Sequence, residues 1–125
     1  MIIRKIELKD FLSHKESEIR FKGNVNVIIG HNGAGKSSII DGIMFGLFRD
    51  TLRGVRKQED IIRRGAFTGG VVLEVFDKER TYIIKRNLSN RSSEDTITEV
   101  INNKRNTVAR GAITVTEKVT ELLGL

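Results

Sequence analysis

The chain's clearest chemistry lies in one run, Gly30-His31-Asn32-Gly33-Ala34-Gly35-Lys36-Ser37-Ser38. It matches G-x-x-x-x-G-K-[ST], the pattern of a loop that wraps phosphate groups. Glycines let the backbone curl so that successive N–H groups point inward. A helix that starts at the loop adds its free N–H groups and the positive end of its dipole. In this pattern Asn32, Gly33, Ala34, Gly35, Lys36, Ser37 and Ser38 form the phosphate cradle. Lys36 reaches the β- and γ-phosphates of a nucleotide and is the candidate catalytic residue, and the Ser37 hydroxyl takes a Mg²⁺ position. His31 reads as a side chain pointing outward, because such a loop works through backbone N–H groups.

A loop of this kind needs a buried strand before it and an apolar helix after it. Val25-Asn26-Val27-Ile28-Ile29 is nearly all apolar and β-branched, which predicts a central strand covered on both faces. Ser37 to Phe48 places Ile39, Ile40, Ile43, Met44 and Leu47 at helical spacing. Hydrolysis would also need an acid at the end of a second apolar strand. Val71-Val72-Leu73-Glu74 comes nearest, but its alternation continues to Phe76, so Glu74 reads as a solvent-facing hairpin residue. These residues read as part of a nucleotide site.

The remaining elements read as largely antiparallel β. Strands are expected at 2–8, at 17–21, and at 71–76 with 80–87 as a hairpin across Asp77-Lys78-Glu79. In the second arm, Tyr82, Ile84 and Arg86 share one side. Weaker strands at 95–101 and 107–110 flank Asn102-Asn103. A short helix is expected over Gln58 to Arg64 and another over Thr116 to Leu123, stopped by Gly124. The strand at 25–29 wants parallel neighbours that the later strands do not supply.

Composition narrows the chemistry further. In 125 residues there are 22 Lys and Arg against 16 Asp and Glu, a net charge of +6, which favours polyanionic partners. No cysteine and only two histidines are present, which excludes disulfides, thiolate metal sites and His-rich sites, and fits a reducing, intracellular setting. The charges at Arg4, Lys5 and Glu7 argue against a secretory signal, and no apolar run suits a membrane span. One tyrosine and no tryptophan give little support to a base-stacking platform.

Asn32-Gly33-Ala34-Gly35-Lys36-Ser37-Ser38 resembles the ABC/SMC class of phosphate loops. With Ile6 to His14 upstream, Ile40-Asp41-Gly42-Ile43 downstream, Asp60 to Gly65 and the hairpin from Val71 to Arg86, nearly the whole chain resembles one family. That family is the SMC-like DNA double-strand-break repair ATPases, coiled-coil partners of a repair nuclease, with archaeal members most alike. The resemblance implies an α/β fold: a P-loop strand, loop and helix joined to an antiparallel β subdomain. Residues 1–125 would be the N-terminal lobe of an ABC-type ATPase head, with the coiled coil and C-terminal lobe absent. It implies ATP and Mg²⁺ as ligands, with zinc only in the hook of the absent coiled coil. It implies four partners: the C-terminal lobe, a second head joined through ATP, the nuclease and DNA, with no membrane. The setting would be cytoplasm or nucleoid. Ile62, Arg63 and Arg64 are carried over as further nucleotide contacts. Many members have a basic residue after Phe11 that touches phosphate, where this chain has Leu12. Gln58 sits too early to be the family's Mg-contacting glutamine. Hydrolysis would belong to the full-length protein, and this chain alone would be nearly inactive.

Other readings compete. An ABC transporter nucleotide domain would carry Ser-Thr-Leu where this chain has Ser37-Ser38-Ile39. A small P-loop kinase would need an arginine-bearing lid and a second parallel strand ending in Asp. A purely structural or nucleic-acid-binding β domain would keep the loop by accident. Arg49, Arg53, Arg56, Lys57, Arg63 and Arg64 form either a phosphate-contact surface or a solvated loop paired with Asp50, Glu59 and Asp60. Lys104, Arg105 and Arg110 read as an exposed charged turn. Phe11 reads as core rather than an adenine platform, and His14 as structural.

Overall fold

The computed structural model describes residues 1–21, 34–50, 58–89 and 94–125; for 34–37 and 58–59 it describes the backbone alone. The elements are β1 (Ile2–Phe11), β2 (His14–Arg20), α1 (Ala34–Phe48), α2 (Gln58–Ile61), β3 (Thr68–Asp77), β4 (Arg80–Ser89), β5 (Thr96–Ile101), β6 (Lys104–Arg110) and α3 (Ala112–Leu123). The strands form one six-stranded sheet in the order β2-β1-β3-β4-β5-β6. Every pairing in it is antiparallel. The expected strand at 25–29 lies outside the described residues.

Alternation with period two builds the core face. One cross-strand row runs through all six strands: Ile19, Ile6, Leu73, Ile84, Ile97 and Ala109. The next row holds Ser17, Leu8, Val71 and Arg86. Two of the tight hairpins turn through Lys78-Glu79 and Asn102-Asn103. All four of these residues have positive φ, between 48° and 66°. Such paired left-handed residues match the twist of the flanking strands.

Helix α1 lies on this face, and two glycines set its distance. A Cβ on Gly46 would overlap the fully buried Leu73, and one on Gly42 would press on a methyl of Leu8. Phe45 packs on Phe11 with ring centroids 5.7 Å apart. α1 begins earlier than the apolar spacing suggests, since the first turn of a helix needs no intrahelical acceptors for its N–H groups. β2 begins at His14 because pairing with β1 continues to the tip, Phe11 opposite His14. α2 stops at Ile61 because Ile62 bridges to Phe11 instead.

Arg86 lies on the apolar face of β4 and is 0% exposed. A guanidinium carries five N–H donors, and each has an acceptor. Nε donates to the Gly46 carbonyl (3.0 Å) and one terminal nitrogen to the Leu47 carbonyl (2.9 Å) and Thr116 Oγ1 (2.9 Å). The other donates to Asp95 Oδ2 (3.2 Å) and the Ala112 carbonyl (3.1 Å). Burial pushes the Arg86 pKa down, and the hydrogen bond and charge of Asp95 oppose that shift. Asp95, 2% exposed, also accepts from the Asn87 N–H at 2.9 Å.

Gly46→Ala should lose about 1–3 kcal/mol in urea unfolding, because overpacking against Leu73 outweighs the helix-propensity gain of roughly 1 kcal/mol. Gly42→Ala, which meets only the end methyls of Leu8 and Ile6, should cost less. Tyr82, the only tyrosine, has its pKa raised, chiefly by burial and then by the charge and hydrogen bond of Glu99. Its phenolate absorbance should therefore appear at higher pH in the folded chain than in denaturant. The unfolded state gives up this proton first, so stability falls as pH rises from the ordinary tyrosine range toward the folded value. Tyr82→Phe should remove that step.

Candidate phosphate-binding site

Helix α1 opens at Ala34, inside the Gly30–Ser38 motif. Backbone N–H groups at its start have no intrahelical partner. Its first turn has no acidic residue to quench the positive end of the dipole. This donor set fits a phosphate group. Ala34, Gly35, Lys36 and Ser37 form that first turn in backbone, while Asn32, Gly33 and His31 lie outside the described residues. Just behind, Ser38 and Asp41 are buried, at 2% and 1% exposure.

A second group of elements converges through Phe11, which packs on α1. The β1–β2 tip carries positive φ at Asp10 (45°) and Leu12 (51°). This bend lets residues 61–63 attach as a short extra rung. The Leu12 N–H donates to the Ile61 carbonyl (2.7 Å), and the Arg63 N–H donates to the Asp10 carbonyl (2.7 Å). Arg63 Nε donates to Asp10 Oδ1 at 2.9 Å. The hairpin tip and the 62–64 segment, read separately in sequence, therefore form one unit. Ile62 is buried, so its side chain belongs to the core; Arg63 is held by Asp10; Arg64 is exposed. Phe11 is fully buried, as a core residue should be. His14 Nδ1 hydrogen-bonds Ser17 Oγ at 2.8 Å, and its Nε2 is buried with no partner among the described residues.

The basic segment resolves unevenly. Arg49 pairs with Asp95 (2.7 Å), donates to the Asn87 carbonyl (3.0 Å) and sits over the Phe45 ring. Arg49 and Arg63 thus find Asp95 and Asp10, acids brought to them by the topology. Arg53, Arg56 and Lys57 lie outside the described residues. Lys104 and Arg105 are exposed, and Arg110 meets Glu94 at 3.7 Å across solvent-exposed side chains. Glu74 sits mid-strand between antiparallel neighbours, on the face opposite Leu73 and Val75. That is no place for a Mg²⁺-holding acid at the end of a parallel strand. A cleft of about 580 Å³ lies over Glu7, Lys9, Glu18, Gly70, Val72 and Lys85, and no residue of α1 lines it.

The AAA domain family model matches residues 5–123. The chain belongs to the AAA domain family. Over 126 aligned residues it is 60% identical to the DNA double-strand break repair Rad50 ATPase of Sulfurisphaera tokodaii, covering 100% of this chain and 14% of that protein. The Rad50 ATPase of Sulfolobus acidocaldarius is 48% identical, over 99% of this chain and 14% of that protein. The chain thus spans about one-seventh of the length of these relatives and matches their N-terminal part. Among solved structures, the recombination mediator protein RecF-ATPrS superposes with a TM-score of 0.66 at 20% identity, over 83% of this chain and 27% of that one. That likeness is one of fold. The α/β fold with an antiparallel sheet stands, as does the resemblance to the repair ATPases.

Reading the sequence alone missed the pairing of Arg86 with Asp95. Its signal was present: a charged residue in phase with Tyr82 and Ile84. Asp10→Asn should cost about 0.5–1 kcal/mol, the scale of a half-exposed ion pair. Faster hydrogen exchange confined to the Leu12 and Arg63 amides would show that the pair holds the 61–63 segment to the tip; unchanged exchange there would show that it does not.

Proposed function

We propose that residues 1–125 are the N-terminal lobe of an ABC/SMC-type ATPase head that binds Mg-ATP. The observation that carries this reading is the start of α1 inside the Gly30–Ser38 motif, with its first turn free of acids. Asn32, Gly33, Ala34 and Gly35 supply backbone N–H groups to the phosphates. Lys36 places its charge at the β- and γ-phosphates, Ser37 offers its hydroxyl to Mg²⁺, and Ser38 continues the donor run. When bound, Mg²⁺ bridges phosphate oxygens and offsets their charge. The Ile62–Arg64 segment approaches the same nucleotide, Ile62 through its backbone and Arg64 through its exposed side chain.

Hydrolysis belongs to the full-length protein, whose C-terminal lobe would supply the acids that hold Mg²⁺ and orient the water. In the full-length protein ATP joins two such heads, shapes a DNA-binding surface, and acts with a repair nuclease on double-strand breaks. The names of the Rad50 relatives support the ATPase and the double-strand-break repair in this reading; the joined heads, the DNA-binding surface and the nuclease rest on the family resemblance.

Calorimetric titration of Mg-ATP into the chain tests it. Saturable binding is expected, weakened about ten- to a hundredfold by Lys36→Ala, the scale of a lost hydrogen bond to a charged group. No sustained heat of turnover is expected. Binding indifferent to Lys36→Ala, or steady turnover by the chain alone, would overturn the reading.

A further inference from the structure

α1 and α3 lie in contact and share hydrogen bonds to a residue that belongs to neither. Two N–H groups of Arg86 hold the last carbonyls of α1, at Gly46 and Leu47, and two hold the first turn of α3, at Ala112 and Thr116. Thr116 Oγ1 also donates to the Ala112 carbonyl at 2.9 Å, closing a ring of hydrogen bonds with the guanidinium. The start of α3 has little else to define it. Gly111 precedes it with φ 91°, and no side chain caps it. Its position rests on the Gly111 N–H bond to the Asp95 carbonyl (2.8 Å), on Arg86, and on the buried Val115 and Val119. Asp95 itself is held by Arg86 and by Arg49, the residue that follows α1.

We infer that Arg86 is a positioning residue that locks α1 and α3 into one rigid body, so that Mg-ATP bound at the front of α1 is felt in the first turn of α3. The inference rests on the nucleotide reading and adds a route out of the site. A helix is stiff along its length, so ordering its N-terminal turn restrains its C-terminal carbonyls as well. Those carbonyls are bonded to the same planar group that holds Ala112 and Thr116. The plane of the guanidinium fixes all five directions at once, whereas an ammonium on a flexible stem cannot.

Hydrogen exchange of the chain with and without Mg-ATP tests this, using wild type, Arg86→Lys and Thr116→Val, with calorimetric affinities measured in parallel. In wild type, ATP should slow exchange of the 112–116 amides by about tenfold. In both variants that slowing should fall below about threefold, while ATP affinity changes by less than about threefold. Loss of stability alone would speed exchange with and without ATP alike and leave their ratio unchanged, which would overturn the inference. Should Arg86→Lys fail to fold, Thr116→Val carries the test, since it removes one acceptor and keeps the side-chain volume. A chain that binds ATP without slowing 112–116 overturns this inference alone. A chain that binds no ATP overturns the nucleotide reading and this inference with it.

Discussion

A guanidinium removed from water must have every N–H accepted, or the fold loses more than it gains. Arg86 meets that demand with acceptors from three places: the end of α1, the start of α3 and Asp95. None of these segments can shift without stranding a buried donor. Removing one partner from such a pair typically costs about 3–5 kcal/mol, a large share of a small domain's net stability. Hydrophobic rows across the sheet supply most of the driving force, but they are compatible with small slips of a helix over the face. The arginine is not, and it makes the helical layer specific.

The same economy serves the front of the molecule. Phe11 joins three things: it ends β1, pairs with Ile62, and packs on Phe45 of α1. Strained backbone at Asp10 and Leu12 is held because hydrogen bonds from Leu12 and Arg63 over-determine it. Helix α1, a hairpin tip and a short basic segment thereby share one support. Charge is divided with some care. Arg49 and Arg63 are committed to buried or half-buried acids, while Arg64 remains exposed.

Much of this was readable in the residues. Alternation located β3 and β4 and even placed Arg86 beside Tyr82 and Ile84, and turn chemistry located Lys78-Glu79 and Asn102-Asn103. The phosphate motif announced α1, although the apolar spacing began the helix late. What was not readable depends on long-range placement. Asp95 and Asp10 become partners of arginines far away in sequence only once β1 lies beside β3 and α1 lies on both. The shortness of α2 follows from Ile62 finding Phe11, which no local pattern encodes. The start of α3 depends on Arg86, not on a capping side chain, so the usual signal was missing. The motif residues at 30–33 are known through their types and spacing.

The order of strands also bears on how the chain assembles. β1 pairs with β2, and β3 to β6 pair each with the next, so both groups close through short segments. Among the described strands, the pairing of β1 with β3 alone joins parts distant in sequence, with residues 12–67 between them. Helix α1 belongs to that intervening stretch and lies across the seam, Gly42 over Leu8 of β1 and Gly46 over Leu73 of β3. Closing a long loop is entropically dear and slow compared with zipping neighbouring strands. Two locally formed halves therefore wait on a single docking event, and the helix that opens on the phosphate motif is the fastener that completes it. A ligand that steadies the first turn of α1 would then favour the folded chain as a whole, acting at the step where its two halves become one.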